Sequence, residues 1–301
     1  MNSDLIKAEL VLDARNGTGE SPVWHGAEQA LYWVDIPARK LCRWMPATGQ
    51  ASSWLAPEML ACVAVTPVAN TLIAGAQSGV FRLKLKDDGQ LGFKNLAPVS
   101  HALPGMRFND GRCDRQGRFL AGTMLMNMAA CASVGGVYSY QKNSGLTKLL
   151  DGFITPNGMA FSPDGRTLYL SDSHPSVQAV WAFDYDLGTG TPSNRRLFID
   201  MKPLPGRPDG AAVDADGCYW ICGNDAGLIH RFTPEGRLDR SLAVPVKKPA
   251  MCAFGGAGLD TLFVTSIRPE GIDLSDQPLA GGVFALRPGV RGLPEPACLI
   301  D

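Results

Sequence analysis

The sequence predicts an all-β protein built as a six-bladed β-propeller, and three observations predict it. Glycine and proline account for 34 and 22 of the 301 residues and are spread through the whole chain, and no stretch has the spacing of an amphipathic helix. Short runs of β-branched, aromatic and aliphatic residues alternate instead with clusters of turn residues. A unit of strand, tight turn and strand recurs six times, which is typical of a propeller.

The repeat unit is clearest in residues 157–172, where 159–161 reads as a strand, Pro163-Asp164-Gly165 as a hairpin turn and 167–170 as the returning strand. Six such units start about 41 to 52 residues apart. Their first residues are Glu20, Ala61, Asn109, Asn157, Asp209 and Met251.

A third short strand follows each unit. These strands are predicted at residues 41–44, 80–83, 137–140, 180–183, 228–231 and 283–286. Fourth strands are poorly marked, and the N-terminal run 7–13 is expected to supply one and close the ring. A two-sheet sandwich would not explain a sixfold repeat, and a β-helix needs a shorter period. Residues 1–301 are therefore predicted to form a single propeller domain.

The charge and cysteine content narrow the possible partners. With 28 basic and 29 acidic side chains, the chain lacks the basic field that nucleic acids or anionic membranes require. No apolar run approaches the roughly 20 residues that span a bilayer, and no secretory signal is visible. The eight cysteines contain no C-x-x-C pair. We therefore expect buried free thiols in a cytoplasmic protein that is a monomer or a weak homo-oligomer.

The first residues of the units make a chemical prediction. Equivalent positions of successive blades lie on one ring around the axis of a propeller. At this phase Glu20, Asn157 and Asp209 offer two carboxylates and an amide oxygen, which are hard donors suited to Ca²⁺, Mg²⁺ or Mn²⁺. Each could alone be a turn residue. Three oxygen-bearing residues at the same position of the repeat favour a metal site in the central channel. A cation there would offset the repulsion between the carboxylates.

Other chemical patterns give little support to a different site. The stretch 214–217 is similar to the start of a calcium loop but lacks the later ligands, so it predicts a hairpin turn. There is no nucleophile elbow and no phosphate-binding loop. His174 follows Asp172 at a strand end, and a surface or packing role is expected for it.

Five stretches give the chain a specific resemblance. They are Gly19-Glu-Ser-Pro-Val-Trp24, Arg107-Phe-Asn-Asp-Gly-Arg-Cys-Asp114, Ala121-Gly-Thr-Met124, the run 156–165 and Pro208-Asp-Gly210. In these, the chain resembles the regucalcin (senescence marker protein)/gluconolactonase family over nearly its whole length. The resemblance implies a six-bladed propeller, a divalent ion in the channel and lactonase activity on sugar lactones.

The resemblance also assigns residues. The family's metal ligands fall on Glu20, Asn157 and Asp209, and its substrate-binding Arg and Asn fall on Arg107 and Asn109. A further substrate-contacting Glu of animal regucalcins corresponds to Asn127 here, a departure that removes a charge. The ion that the resemblance favours is Ca²⁺, with Zn²⁺, Mn²⁺ or Mg²⁺ as alternatives.

The mechanism expected from these residues is hydrolysis of a lactone ester by metal-activated water. The ion would polarise the carbonyl oxygen, and Asp209 would act as the general base. Arg107 would hold sugar hydroxyls or the free carboxylate of an aldarate, although a structural salt bridge is the alternative for it. Two other functions stay open: an organophosphate or arylester hydrolase at the same site, and a non-catalytic calcium-binding propeller.

Overall fold

The computed structural model describes residues 6–86 and 88–299. Their strands form six four-stranded antiparallel sheets, which are the blades of a six-bladed β-propeller. The predicted fold is confirmed. The innermost strands are β2 (Gly19–His25), β6 (Leu60–Val65), β10 (Met106–Cys113), β14 (Pro156–Phe161), β18 (Arg207–Val213) and β22 (Pro249–Gly255). Consecutive inner strands contact one another, and β22 contacts β2, so the six surround one central axis.

The second and third strands of the blades complete the buried part of each sheet. The second strands are β3 (Ala30–Asp35), β7 (Thr71–Ala76), β11 (Phe119–Leu125), β15 (Thr167–Asp172), β19 (Tyr219–Asn224) and β23 (Thr261–Ser266). The third strands are β4 (Lys40–Met45), β8 (Gly79–Leu85), β12 (Gly135–Gln141), β16 (Ala179–Tyr185), β20 (Leu228–Phe232) and β24 (Val283–Leu286). Each lies where the repeat predicted it.

The outer strands are the ones that the sequence marked poorly. They are β5 (Gln50–Leu55), β9 (Leu91–Pro98), β13 (Gly145–Phe153), β17 (Pro192–Asp200), β21 (Leu238–Ala243) and β1 (Glu9–Leu12). β1 pairs antiparallel with β24 and is the fourth strand of the last blade. The expectation that the N-terminal run closes the ring is therefore confirmed.

The hydrophobic core is divided among the interfaces between blades. Six clusters of buried side chains occur, and each joins two neighbouring blades. Between the first and last blades, for example, Trp24 stacks on Phe263 with ring centroids 5.6 Å apart. Because both faces of a blade are covered, second strands such as β3 and β7 are buried at every position and lack a solvent-exposed face.

The C-terminal segment crosses the end of the channel where the inner strands end. Its backbone donates from Cys298 to the Val65 carbonyl and from Leu299 to the Gly117 carbonyl, at 2.8 and 3.0 Å. Glu295 accepts an ion pair from Arg112 of the third blade at 3.4 Å. The site residues at the beginnings of the inner strands therefore face the opposite end, which we call the mouth.

Two smaller expectations concern the turns and the cysteines. Asp214 accepts the backbone N–H groups of Asp216 and Cys218, so 214–217 is a hairpin turn as predicted. All eight cysteines are free thiols, and seven are buried, but Cys131 is exposed. No helix in the described part of the chain is long and apolar enough to cross a membrane.

Candidate metal and substrate site

A β-bulge shapes every inner strand near its beginning. In β2 the pairing register shifts between Glu20 and Val23, and in β14 between Asn157 and Ala160. The other four inner strands shift register at or next to the same repeat position. Because a bulge leaves a residue unpaired and redirects the strand, it can turn side chains out of the sheet and into the channel.

The bulge of the fourth blade depends on Gly158, whose φ is +59°. A Cβ atom there would lie 2.5 Å from the Tyr219 hydroxyl and 2.8 Å from the Ser171 hydroxyl. The same hydroxyl of Tyr219 donates a hydrogen bond to the Gly158 carbonyl at 2.7 Å. Glycine is therefore required on both conformational and steric grounds, and the packed bulge holds the neighbouring Asn157 in place.

Asn157 and Asp209 meet across two blades. The Asn157 amide donates to one Asp209 oxygen at 2.6 Å, and the Asn224 amide donates to the other at 2.5 Å. Asp209 is only 6% exposed. Burial is the main reason that the pKa of Asp209 is raised to about 7, although the two amides and the charge of Arg207 oppose the shift.

Glu20 of the first blade belongs to the same electrostatic group. The pKa of Glu20 is raised well above its usual value, first by burial and then by the charges of Asp209 and Asp110, while Arg107 acts in the opposite direction. The side chain is half-buried, and one of its oxygens accepts the Ser21 N–H at 3.3 Å. The structure thus places Glu20 within the electrostatic influence of Asp209, although the two are far apart in sequence.

Asp110 is a member of this group that the sequence analysis missed. One of its oxygens accepts the Met159 N–H at 2.7 Å, while the other is buried and has no hydrogen-bond partner within residues 6–86 and 88–299. Burial raises the pKa of Asp110 as well. The repeat comparison took one residue from each blade and selected Asn109. The sequence did offer a signal for Asp110, because this acidic residue directly follows Asn109 in the stretch 107–111.

The donor chemistry of the group fits a divalent cation. Buried carboxylates whose pKa values are raised gain most from a nearby positive charge, and hard oxygens suit Ca²⁺, Mg²⁺ or Mn²⁺. Among the described residues, no three or more His, Cys, Asp or Glu side chains are grouped so that they could hold one ion. A site here consequently needs the amide oxygen of Asn157 beside Glu20 and Asp209.

Arg107 and Asn109 form a second polar pair at the mouth. Arg107 donates through Nη1 to the Phe108 carbonyl at 2.7 Å and to the Asn109 side-chain oxygen at 2.9 Å. The Asn109 amide donates to the Pro156 carbonyl at 3.0 Å, which ties it to the fourth blade. Burial lowers the pKa of Arg107 to about 10, so the guanidinium is still charged near neutrality.

Asn127 lies on an exposed loop at the rim of the mouth. It directly precedes a 3₁₀ turn, Met128–Ala130, and its side chain does not cap that turn. The Met126 N–H donates to the Gly105 carbonyl, which fixes the loop beside the beginning of β10. His174 binds the Met128 carbonyl at 3.2 Å and so has the packing role expected of it.

Comparisons with known proteins agree with the architecture. Residues 18–268 match the family model described as "SMP-30/Gluconolactonase/LRE-like region". The chain is 38% identical over 285 residues to a 6-deoxy-6-sulfogluconolactonase from Pseudomonas putida, covering 92% of this chain and 94% of the relative. It is 34% identical to regucalcin from Danio rerio, covering 96% and 97%.

A solved structure gives the same result. The crystal structure of a calcium-binding protein, regucalcin, from Agrobacterium tumefaciens superposes with a TM-score of 0.89 at 28% identity and covers 97% of each chain. The family model and the relatives extend over most of this chain, and they coincide with the blades that carry Glu20, Arg107, Asn157 and Asp209. The chain belongs to the SMP-30/gluconolactonase/LRE-like family.

Proposed function

We propose that the protein is a divalent-cation-dependent hydrolase that opens a sugar lactone, an aldonolactone or an aldarolactone, to the free acid. The observation that carries the proposal is the buried contact between Asn157 and Asp209, made across two blades and within the electrostatic influence of Glu20. Family membership and a relative named as a gluconolactonase of a sulfonated sugar support the lactone class.

Glu20, Asn157 and Asp209 would hold the cation, with Ca²⁺ preferred and Zn²⁺, Mn²⁺ or Mg²⁺ as alternatives. When bound, the cation supplies Lewis-acid polarisation of the ester carbonyl and a lower pKa for water at the site. Regucalcin of Agrobacterium tumefaciens is described as calcium-binding, which supports the preference for Ca²⁺.

Asp209 is the proposed general base. A general base must lie within hydrogen-bond reach of the proton that it takes, and the buried carboxylate of Asp209 contacts Asn157, the second proposed ligand. The amides of Asn157 and Asn224 fix both of its oxygens, so the carboxylate is held in one orientation. It would take the proton of the attacking water at a carboxylate oxygen and later release it to solvent or to the leaving alkoxide.

Arg107 and Asn109 would orient the sugar. Arg107 has donors beyond those used on Phe108 and Asn109, and these can bind ring hydroxyls. Asn127 on the rim would contact the far side of the ring through a neutral amide. Hydrogen bonds of this kind position the carbonyl carbon for attack and contribute to binding.

Acid release from a panel of lactones tests the proposal. After EDTA treatment and desalting, turnover should be lost and should return when Ca²⁺, Mn²⁺, Mg²⁺ or Zn²⁺ is added. Hydrolysis that survives complete removal of metal would contradict the proposed site. Asp209→Ala should lower kcat by at least about 100-fold, whereas Asp151→Ala, an exposed carboxylate on β13, should leave it unchanged.

The same panel separates the two alternatives. A preference for a phosphotriester or an aryl ester over every lactone would make the site that of an organophosphate or arylester hydrolase. Calcium binding by calorimetry, without turnover of any ester, would make the protein a calcium-binding propeller that is not an enzyme.

A further inference from the structure

A second arginine occupies the same repeat position as Arg107. Arg107 stands two residues before Asn109 on β10, and Arg207 stands two residues before Asp209 on β18. These are the third and fifth blades, which flank the blade that carries Asn157. At this phase the remaining four blades have uncharged residues: Thr18, Met59, Thr155 and Pro249. Two guanidinium groups therefore lie on either side of the fourth blade at the mouth.

The two arginines differ in what already binds them. Arg107 donates through Nη1 to two neutral oxygens, the Phe108 carbonyl and the Asn109 side-chain oxygen. Arg207 donates through Nε to Asp225 at 2.6 Å and through Nη1 to the Ser173 carbonyl at 3.3 Å. Its Nη2 has no protein acceptor among the described residues, and its side chain is 24% exposed. One edge of the Arg207 guanidinium is thus available to a ligand.

Arg207 shares one carboxylate, that of Asp225, with Lys248. Asp225 accepts hydrogen bonds from both Arg207 and Lys248, so one carboxylate lies between two cations. Asp225 directly follows β19 and has a φ of +79°, a turn conformation that Asp adopts more readily than most residues with a side chain. From this turn its carboxylate accepts the Arg207 Nε hydrogen bond and orients the guanidinium.

The position of Arg207 suits the end of a substrate that is remote from the reacting carbonyl. Arg207 precedes Asp209 by two residues on β18, so their Cα atoms are about 7 Å apart. A six-carbon lactone whose carbonyl lies beside Asp209 can extend its terminal substituent by a comparable distance. A free guanidinium edge binds two anionic oxygens better than it binds a neutral hydroxyl.

We infer that this protein selects sugar lactones with an anionic group on the terminal carbon, and that Arg207, oriented by Asp225 and supported by Lys248, binds that group. The inference rests on the proposed lactonase function and adds its substrate class. Arg107 keeps its proposed role of binding the ring hydroxyls. A carboxylate and a sulfonate present the same chemistry to Arg207, and the experiment compares both.

The test is kcat/KM on three matched lactones that have a hydroxymethyl, a carboxylate or a sulfonate at the terminal carbon. The wild type should favour at least one of the anionic lactones by about tenfold or more, the usual size of a charge-assisted contact. Arg207→Gln should reduce this ratio to near one, and Arg207→Lys should keep part of it. Arg196→Gln, an exposed arginine on the outer strand β17, should preserve the ratio.

An unchanged ratio in Arg207→Gln, or a wild type that favours the neutral lactone, would overturn the inference while leaving the lactonase proposal intact. Turnover of no lactone at all would instead overturn the lactonase proposal. If no lactone is turned over, calorimetry can still test the role of Arg207 by comparing the binding of an aldarate with that of the matching aldonate. The wild type should bind the aldarate about tenfold more tightly, and Arg207→Gln should bind both alike. Equal binding of both by the wild type would contradict the inference.

Discussion

Asp209 shows at the scale of one residue how the proposed site opposes the stability of the folded protein. Its carboxylate is buried beside two other acids whose pKa values are also raised, Glu20 and Asp110. Uncompensated negative charge of this kind favours the unfolded chain, where water solvates each carboxylate. The amides of Asn157 and Asn224 and the nearby arginine charges offset it only in part, since the pKa values of the acids stay raised. We predict that a cation bound by this group would stabilise the folded state.

The pH dependence of stability follows from the same shift. An unfolded Asp has a pKa of about 3.9, and the pKa of Asp209 is about 7 in the folded protein. Between these values the folded state holds a proton that the unfolded state has lost, so stability decreases as pH rises through this window. The raised pKa values of Glu20 and Asp110 also make stability decrease as pH rises. The charge of Arg207 limits the effect, because it lowers the pKa of Asp209. In EDTA, the melting temperature should be lower at pH 8 than at pH 5.

Asp209→Asn isolates the contribution of this group. In EDTA the variant should lose less stability between pH 5 and pH 8 than the wild type, because it has no charge to bury. Added Ca²⁺ should raise the melting temperature of the wild type at pH 8 and have little effect on the variant. Asp151→Asn, which alters an exposed carboxylate, should behave as the wild type. Identical pH profiles for Asp209→Asn and the wild type would contradict this account.

At the scale of the strand, the β-bulge is the feature that can turn a side chain of an inner strand, such as Asn157, into the channel. Gly158→Ala should destabilise the protein by at least about 2 kcal/mol, because the new Cβ would meet two hydroxyl groups and the residue would have a positive φ. Turnover should fall as well, since Asn157 would move. Gly145→Ala is the matched control: its φ is +70°, but nothing lies within 4 Å of the added atom. Equal losses of stability, measured by urea unfolding, would show that packing at the bulge is unimportant.

The first three strands of each blade could be predicted from the sequence because they are buried on both faces and bounded by turns. The outer strands could not, since β5 and β21 are mostly exposed and their residues are not selected for a core. The bulges and the C-terminal crossing are set by contacts between distant segments, such as Cys298 with Val65. Such contacts cannot be predicted from the pattern of neighbouring residues in the sequence.

The candidate site was predictable to the extent that the repeat brings equivalent positions together. Repeat phase selected Asn157 and Asp209, which are in contact, but it could not select Asn224, which lies on a second strand. It also overlooked Asp110, because the bulge of β10 includes both Asn109 and Asp110, and a comparison of one residue per blade samples only the first. Arg207 has the phase of Arg107, yet its free edge depends on Asp225 and is visible only in three dimensions. The metal ligands and substrate contacts stay predictions.

At the scale of the whole molecule, closure joins the first strand of the chain to the last. β1 pairs with β24 through Leu10 and Phe284, so the N-terminal run holds the sixth blade in the ring. Each blade shares one core cluster with each neighbour, and therefore no blade has a core of its own. The prediction that residues 1–301 form a single domain requires that loss of one interface weakens the whole ring.

Phe284→Ala tests this requirement. Phe284 is fully buried in the cluster that joins the fifth and sixth blades, so its truncation should cost about 3–5 kcal/mol of unfolding free energy. Urea unfolding should stay a single transition with a lower midpoint, and tryptophan fluorescence should report the same midpoint as circular dichroism, because Trp33 and Trp220 lie in different blades. Leu238→Ala, at a site that is 46% exposed, should change the midpoint little. Two separate transitions in Phe284→Ala would mean that the sixth blade detaches alone, and the ring would then not unfold as one unit.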